Sequence, residues 1–267
     1  MFIIDYHVHT RLCNHAAGSM NAYARRAVEL GLSGIVFLDH LTLRPDDRRS
    51  SMAEEEVGLY YGAVRRLARL YRGRLEILSG LEIDHNPEWN PRARELAERF
   101  AFDVVTASVH FSGDMSFVSR KSAGRNRDVP DDAFADAYFA ALDSMLDDPF
   151  FDVVGHVDVL KKFGRKISPE LAGRFRKLFS RMAALNLVME MNTSGFDHPA
   201  AEPYPGETLL RLAAEAGLPV CLGSDAHAPE QVGRHFGDAT RLLARCGHTR
   251  LTQLVGRKAR FISLDAA

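Results

Sequence analysis

Cysteine is scarce in this 267-residue sequence: Cys13, Cys221 and Cys246 are the only three, and no two form a CxxC pair. Such spacing excludes a disulfide framework and a structural zinc finger, and it suits a reducing compartment. Tryptophan occurs once, at Trp89. An excess of either charge is also lacking: 34 Lys and Arg stand against 35 Asp and Glu, for a net charge of −1. Broad, sequence-independent nucleic-acid binding is therefore not expected. No apolar run approaches the roughly 20 residues that a membrane span requires, and the opening MFII turns polar too soon for a signal peptide. Repeats and low-complexity segments are absent. The remainder, 46% hydrophobic and 26% charged, is the composition of a soluble globular protein, with the cytoplasm as its expected setting.

Short apolar runs rich in β-branched residues recur along the chain: FII, GIVFL, LEILSGLEI, DVVTASV, FDVVGHV, LVMEM and PVCLGS. Stretches of helical periodicity separate them, Ala22 to Leu30, Glu54 to Tyr71, Pro91 to Phe100, Asp131 to Leu146, Pro169 to Leu185, Glu207 to Ala216 and Pro229 to Arg245. Continuous hydrophobic strands alternating with helices predict a parallel sheet covered by helices on its outer face. Seven such βα units predict one α/β domain over residues 1–267, closed as a barrel; a doubly wound open sheet is the alternative that periodicity leaves. The segment from Phe111 to Asp132, polar and irregular, predicts an active-site lid or insertion.

What the chain does have is histidine, eleven in all, with three packed into the opening DYHVHTRLCNH. His7 and His9 close the first strand, Asp39 and His40 the second, Glu82 and Asp84 the third, and His110 the fourth. His156 and Asp158 close the fifth, and Asp225 and His227 the seventh. A lone histidine is ordinarily a hydrogen-bonded core residue, and His85, His198, His235 and His248 are expected to be dispersed over helices and loops. Six strands delivering acids and imidazoles at one end need another explanation. In a parallel barrel those ends converge on the face that carries the chemistry.

Imidazole and carboxylate are ligands for divalent metals, and the period of two along a strand puts His7 with His9, and Asp225 with His227, on one side. Seven imidazoles (His7, His9, His15, His40, His110, His156 and His227) and two carboxylates (Glu82 and Asp225) exceed what one ion can use. They predict a cluster of two or three divalent ions, with zinc, iron and manganese equally suited.

The segments DYHVHT, LDH at Leu38 to His40, GLEID at Gly80 to Asp84, SVHF at Ser108 to Phe111, GHVDVLKKFG at Gly155 to Gly164, MNTSG at Met191 to Gly195 and GSDAH at Gly223 to His227 resemble the polymerase and histidinol phosphatase (PHP) family. Within it they are most similar to the histidinol-phosphate phosphatases of histidine biosynthesis. The resemblance implies a distorted (β/α)7 TIM-like barrel with a trinuclear centre. It implies one ion held by His7, His9, Glu82 and Asp225, with Glu82 bridging to a second at His110 and His156. The third would take His15, His40 and His227. The loop after SVHF departs from the family pattern, which is where a different phosphomonoester or a phosphodiester would enter as substrate. A metallo-amidohydrolase also begins with HxH, but its middle-strand lysine is replaced here by GLEID.

Ions about 3.5–4 Å apart suit phosphoester hydrolysis by a metal-bound hydroxide. Asp225, His227 and Glu82 are then expected at the reacting centre, with Asp225 also able to share in proton transfer to the leaving group. Asp39 and Asp158 are expected either to orient imidazoles or to serve as loop caps and salt bridges. The phosphate needs fixed positive charge, and the candidates are Arg120 and Lys121 in the irregular segment and Lys161 and Lys162 after the fifth strand. Asn192, at the end of the sixth strand, is a candidate for a substrate hydroxyl or amine. Cys13 is expected to fill space beneath the loop, and Glu190 to lie deeper in the barrel, outside the site. A small phosphorylated substrate is the expected partner; a membrane is not, and nucleic acid is disfavoured.

Overall fold

The computed structural model describes residues 3–45 and 49–264, so Phe2 of the first predicted strand lies outside the described residues. The chain runs β1 (Ile4–Val8), α1 (Met20–Glu29), β2 (Gly34–Leu41), α2 (Val57–Leu70), β3 (Glu76–Asp84), α3 (Asn90–Arg99) and β4 (Val104–Ser108). Next come β5 (Phe111–Ser112), β6 (Met115–Ser116), α4 (Arg120–Asn126), α5 (Asp131–Asp147), β7 (Val153–Val154), α6 (Pro169–Ala184) and β8 (Val188–Asn192). It finishes with α7 (Glu207–Glu215), β9 (Val220–Gly223), α8 (Phe236–Arg245), β10 (Arg250–Val255) and β11 (Lys258–Ser263). Seven strands pair in parallel in the order β1-β2-β3-β4-β7-β8-β9. A parallel bridge between Val8 and Ala226 brings the two edges together, with His9 N donating to Ala226 O at 2.9 Å and Ala226 N to His7 O at 3.0 Å. The result is a nearly closed (β/α)7 barrel.

Side chains along each strand follow the period of two, and the inward rows change character along the chain direction. On β2 the row runs Val36, Leu38, His40; on β3 Leu78, Gly80, Glu82; on β4 Val104, Thr106, Ser108; on β8 Val188, Glu190, Asn192. The first members form a small inner core with Ile4, Tyr6, Val153 and Cys221. The outward members pack beneath the helices in the larger core. β1 needs an extra step. Its register against β2 slips between Asp5 and Val8, a bulge that lets Tyr6 and His7 both face inward and then carries His9 to the same side.

The opposite mouth of the barrel is covered by the β10–β11 hairpin, a pair of strands beyond the seven that the sequence predicts. Leu254 enters the inner core, and its backbone is held by Tyr6, whose hydroxyl accepts from Leu254 N at 2.6 Å and lies 3.1 Å from Leu254 O. Two other expectations change. The predicted helix from Pro229 to Arg245 is a short 3-10 turn, Pro229–Gln231, and then α8; Gly233 and His235, with φ of 64° and 59°, break the helix between them. The irregular segment after Phe111 is not a bare loop but the β5–β6 hairpin followed by α4, and it is tied down at both ends. Arg44 donates to Gly113 O at 2.8 Å and stacks on Phe111, while Arg165 donates to Asn126 O at 2.6 Å and Val129 O at 3.0 Å.

Candidate metal centre

Glu82 stands at the middle of the inward face. Its Oε2 lies 2.7 Å from His40 Nδ1, 3.4 Å from His7 Nε2 and 3.8 Å from His9 Nε2. Its Oε1 lies 3.0 Å from His156 Nε2 and 3.5 Å from His110 Nε2, and accepts from Ser108 Oγ at 2.7 Å. One carboxylate thus faces two sets of imidazoles through its two oxygens. Against the burial that would raise it, the imidazoles of His40, His7 and His110 hold the Glu82 pKa well below the ordinary range. Asp225 joins from the end of β9, 3.1 Å from His9 Nε2 and 3.9 Å from His7 Nε2.

Local sequence explains how the remaining rings arrive. Thr10 caps a 3-10 turn, Arg11–Cys13, Asn14 closes it with a left-handed φ of 66°, and His15 is thereby turned back over the strand ends. Its ring centroid lies 4.6 Å from that of His227 and 5.4 Å from that of His40. His15 Nδ1 is engaged by Cys13 O and His227 Nδ1 by Asp225 O, at 2.7 and 3.0 Å, which leaves both Nε2 atoms outside these bonds. His156 follows Gly155 with a φ of 20°, which ends the fifth strand after two paired residues and swings the ring inward. His110 Nε2 approaches His156 Nε2 to 3.3 Å, and burial pushes the His110 pKa down to about 4.

The donor set fits divalent ions. Ligand atoms of His7, His9 and Glu82 converge within 4.8 Å, as do those of His40, Glu82 and His110 and those of His15, His40 and His227. Buried His7 Nε2 and His227 Nε2 have no hydrogen-bond partner among the described residues. Such orphaned lone pairs are costly unless something binds them. His40 belongs to two of the convergent groups, so the partition implied by resemblance is less sharp than three separate sets. Cys13 also lies within reach of His9 and His227, but it is fully buried, and burial pushes its thiol up to about 12.

The acids around these rings divide. Asp39 faces an imidazole: its Oδ1 lies 3.5 Å from His9 Nδ1 and accepts from His40 N at 3.1 Å, while its Oδ2 accepts from Thr10 N and Thr10 Oγ1. Asp158 does not: its Oδ2 binds Lys161 Nζ at 2.8 Å and Gly206 N at 3.1 Å. Glu190, placed outside the site by the sequence reading, contacts it directly, with Oε1 2.6 Å from His7 Nδ1. Its position two residues before Asn192 on one strand was the available signal. Asp5 was missed as well; it accepts from Ser224 N and Gly233 N, both at 2.9 Å, and so pins the chain that carries Asp225.

Above these groups opens a cavity of about 520 Å³ lined in part by Arg120, Arg125, Lys162, His198 and Tyr204. Of the expected phosphate ligands, Arg120 and Lys162 reach it; burial lowers the Lys162 pKa. Lys161 does not. It is buried, with Nζ 2.9 Å from both Glu202 Oε1 and Pro203 O, because the 3-10 turn Val159–Lys161 directs it away from its neighbour. Lys121 is exposed on α4 and is not among the lining residues. Asn192 is fully buried, and its side chain binds Ser194 N at 3.0 Å and Asp225 Oδ2 at 3.4 Å, so it supports a ligand position instead of facing the cavity. His198, grouped among the dispersed histidines, is on a loop but faces the cavity with Nδ1 3.0 Å from Tyr204 Oη.

A parallel barrel that gathers imidazoles and carboxylates at its C-terminal strand ends defines the class of barrel proteins with a metal-binding face. Within that class, the chain belongs to the PHP domain family, which matches residues 5–194, with a PHP-associated segment at 207–236. The Deinococcus radiodurans protein named "Probable histidinol-phosphatase" is 34% identical over 251 residues, covering 94% of this chain and 96% of its own. Histidinol-phosphatase of Bacillus subtilis is 25% identical, over 91% of this chain and 98% of its own. Among solved structures, histidinol phosphate phosphatase of Lactococcus lactis, complexed with zinc, L-histidinol and phosphate, superposes with a TM-score of 0.84 at 20% identity, covering 97% of this chain and 98% of that one. No helix among the described residues is long and apolar enough to cross a membrane.

Proposed function

We propose that this chain is a metal-dependent phosphatase that hydrolyses L-histidinol phosphate to L-histidinol and phosphate. The observation that carries the reading is the convergence of seven imidazoles, Glu82 and Asp225 beneath a cavity rimmed by Arg120 and Lys162. Full-length similarity to chains named for this reaction supports the choice of substrate. His7, His9, Glu82 and Asp225 would hold one ion, His110 and His156 a second shared through Glu82, and His15, His40 and His227 a third. Divalent ions bound there supply Lewis-acid polarisation of the phosphate and activation of water at neutral pH.

The chain's own residues do the rest. Arg120 and Lys162 hold the phosphate oxygens from the cavity side. Asp225, anchored by Asn192 and by Asp5 through Ser224, would take up the proton released by the attacking water and return it to the leaving alkoxide. His198 and Tyr204, paired on the wall, shape the part of the cavity beyond the phosphate. A cytoplasmic setting accords with three buried cysteines that remain free. The test is phosphate release by the purified chain supplied with zinc, iron or manganese. Histidinol phosphate should be turned over far faster than generic esters; equal rates would remove the substrate, and a preference for a phosphodiester would redirect it.

A further inference from the structure

Between the first two proposed ion positions, one carboxylate reaches both. Glu190 rises from β8 and is only 2% exposed. Its Oε1 lies 2.6 Å from His7 Nδ1, and its Oε2 accepts the backbone N–H of His156 at 2.9 Å and faces Asn192 Nδ2 at 3.3 Å. Space for it is created by two glycines on neighbouring strand ends. A Cβ on Gly223 would overlap Glu190 Oε1 and His7 Cβ, and one on Gly155 would press on Ser108 Oγ with Glu190 Oε2 3.5 Å away.

The consequence for His7 follows from its two nitrogens. A neutral ring that donates Nδ1–H to a carboxylate presents a bare Nε2, the form that binds a cation. His7 Nε2 is one of the buried atoms with no hydrogen-bond partner among the described residues, and it faces Glu82 and Asp225. For His156 the hold is on the main chain. Its N–H bond to Glu190 fixes the residue at its φ of 20°, and that conformation brings Nε2 to 3.0 Å from Glu82 Oε1. Every partner of Glu190 is a donor. A carboxylate satisfies donors at both ends, whereas an amide must turn its NH2 toward one of them.

We propose that Glu190 is a positioning residue that couples two ion positions, setting the His7 tautomer with one oxygen and the His156 backbone with the other. The proposal rests on the reading of His7 and His156 as metal ligands. It predicts that E190Q weakens both positions together and spares the one at His15, His40 and His227. The experiment is titration of Zn²⁺ alone into metal-free protein, with bound metal counted after dialysis, for the wild type, E190Q and D158N. D158N removes an equally buried carboxylate that touches no imidazole and controls for packing damage. In E190Q the affinity of the Glu82-linked ions should fall by about 10- to 100-fold while one ion is retained, since groups that orient ligands carry effects of that size. D158N should bind as the wild type does.

If E190Q does not fold, E190D replaces it: its carboxylate stops one methylene short of His7 Nδ1, and the same joint weakening is expected. Wild-type stoichiometry and affinity in the folded variant would overturn the coupling, and so would an equal loss in D158N. A wild type that takes up no Zn²⁺ would remove the ligand reading and this proposal with it. Unchanged binding by the variant in a zinc-binding wild type would remove this proposal alone.

Discussion

The two ends of this barrel are made by the same strands, by residues as few as four positions apart, and they solve opposite problems. At the N-terminal end the inward rows supply Ile4, Val36, Leu78 and Val104, and the hairpin closes the mouth with Leu254. There apolar surface leaves water, the ordinary source of stability. At the C-terminal end the same rows supply Glu82, Ser108 and Asn192, all buried, and the partly exposed His40. Buried imidazoles and carboxylates are expensive there unless ions or hydrogen bonds satisfy them. One end holds the fold and the other spends stability on a site.

Four substitutions sharpen or break that contrast. The largest effect is expected for Glu82→Gln at the site end: phosphatase activity should fall to background with the loss of bound metal, while thermal unfolding shows the chain still folded. Lys161→Met comes next. It strands the buried charge of Asp158 and should cost about 3–5 kcal/mol in denaturant unfolding, although Lys161 lies within the segment that carries His156. Leu254→Ala, at the other end, should cost about 2–5 kcal/mol of stability and leave kcat/KM of the folded fraction unchanged. If it lowers activity in proportion, the ends are not separable. The smallest effect is expected for Lys162→Ala, about 10- to 100-fold in kcat/KM from the loss of a charged phosphate contact, with unfolding near wild type. Neighbouring lysines with reversed outcomes would be the clearest sign that position on the barrel, not charge, decides the role.

The ligand face was legible because histidine and acid at strand ends are rare enough, and regular enough, to stand out against an apolar period of two. The barrel was legible for the complementary reason, since seven buried runs separated by helices admit few parallel arrangements. Glu190 was legible only in part: its spacing from Asn192 gives the inward face, but its reach to His7 depends on the room that Gly223 of β9 leaves beside it. Lys161 and Lys162 are equivalent in sequence; only the 3-10 turn decides which is buried. The hairpin at 250–263 carried a turn signal in Gly256 and alternating apolar residues, but its role depends on Tyr6, more than 240 residues away. His15 reaches the site only through the left-handed turn at Asn14.

The central claim is that the polar end of the barrel is a multinuclear metal centre. Metal analysis of the purified wild-type chain, by elemental mass spectrometry against protein concentration, tests it most directly. Two or three divalent ions per chain are predicted; fewer than two, in protein purified without chelator and supplied with zinc, iron and manganese, would contradict it.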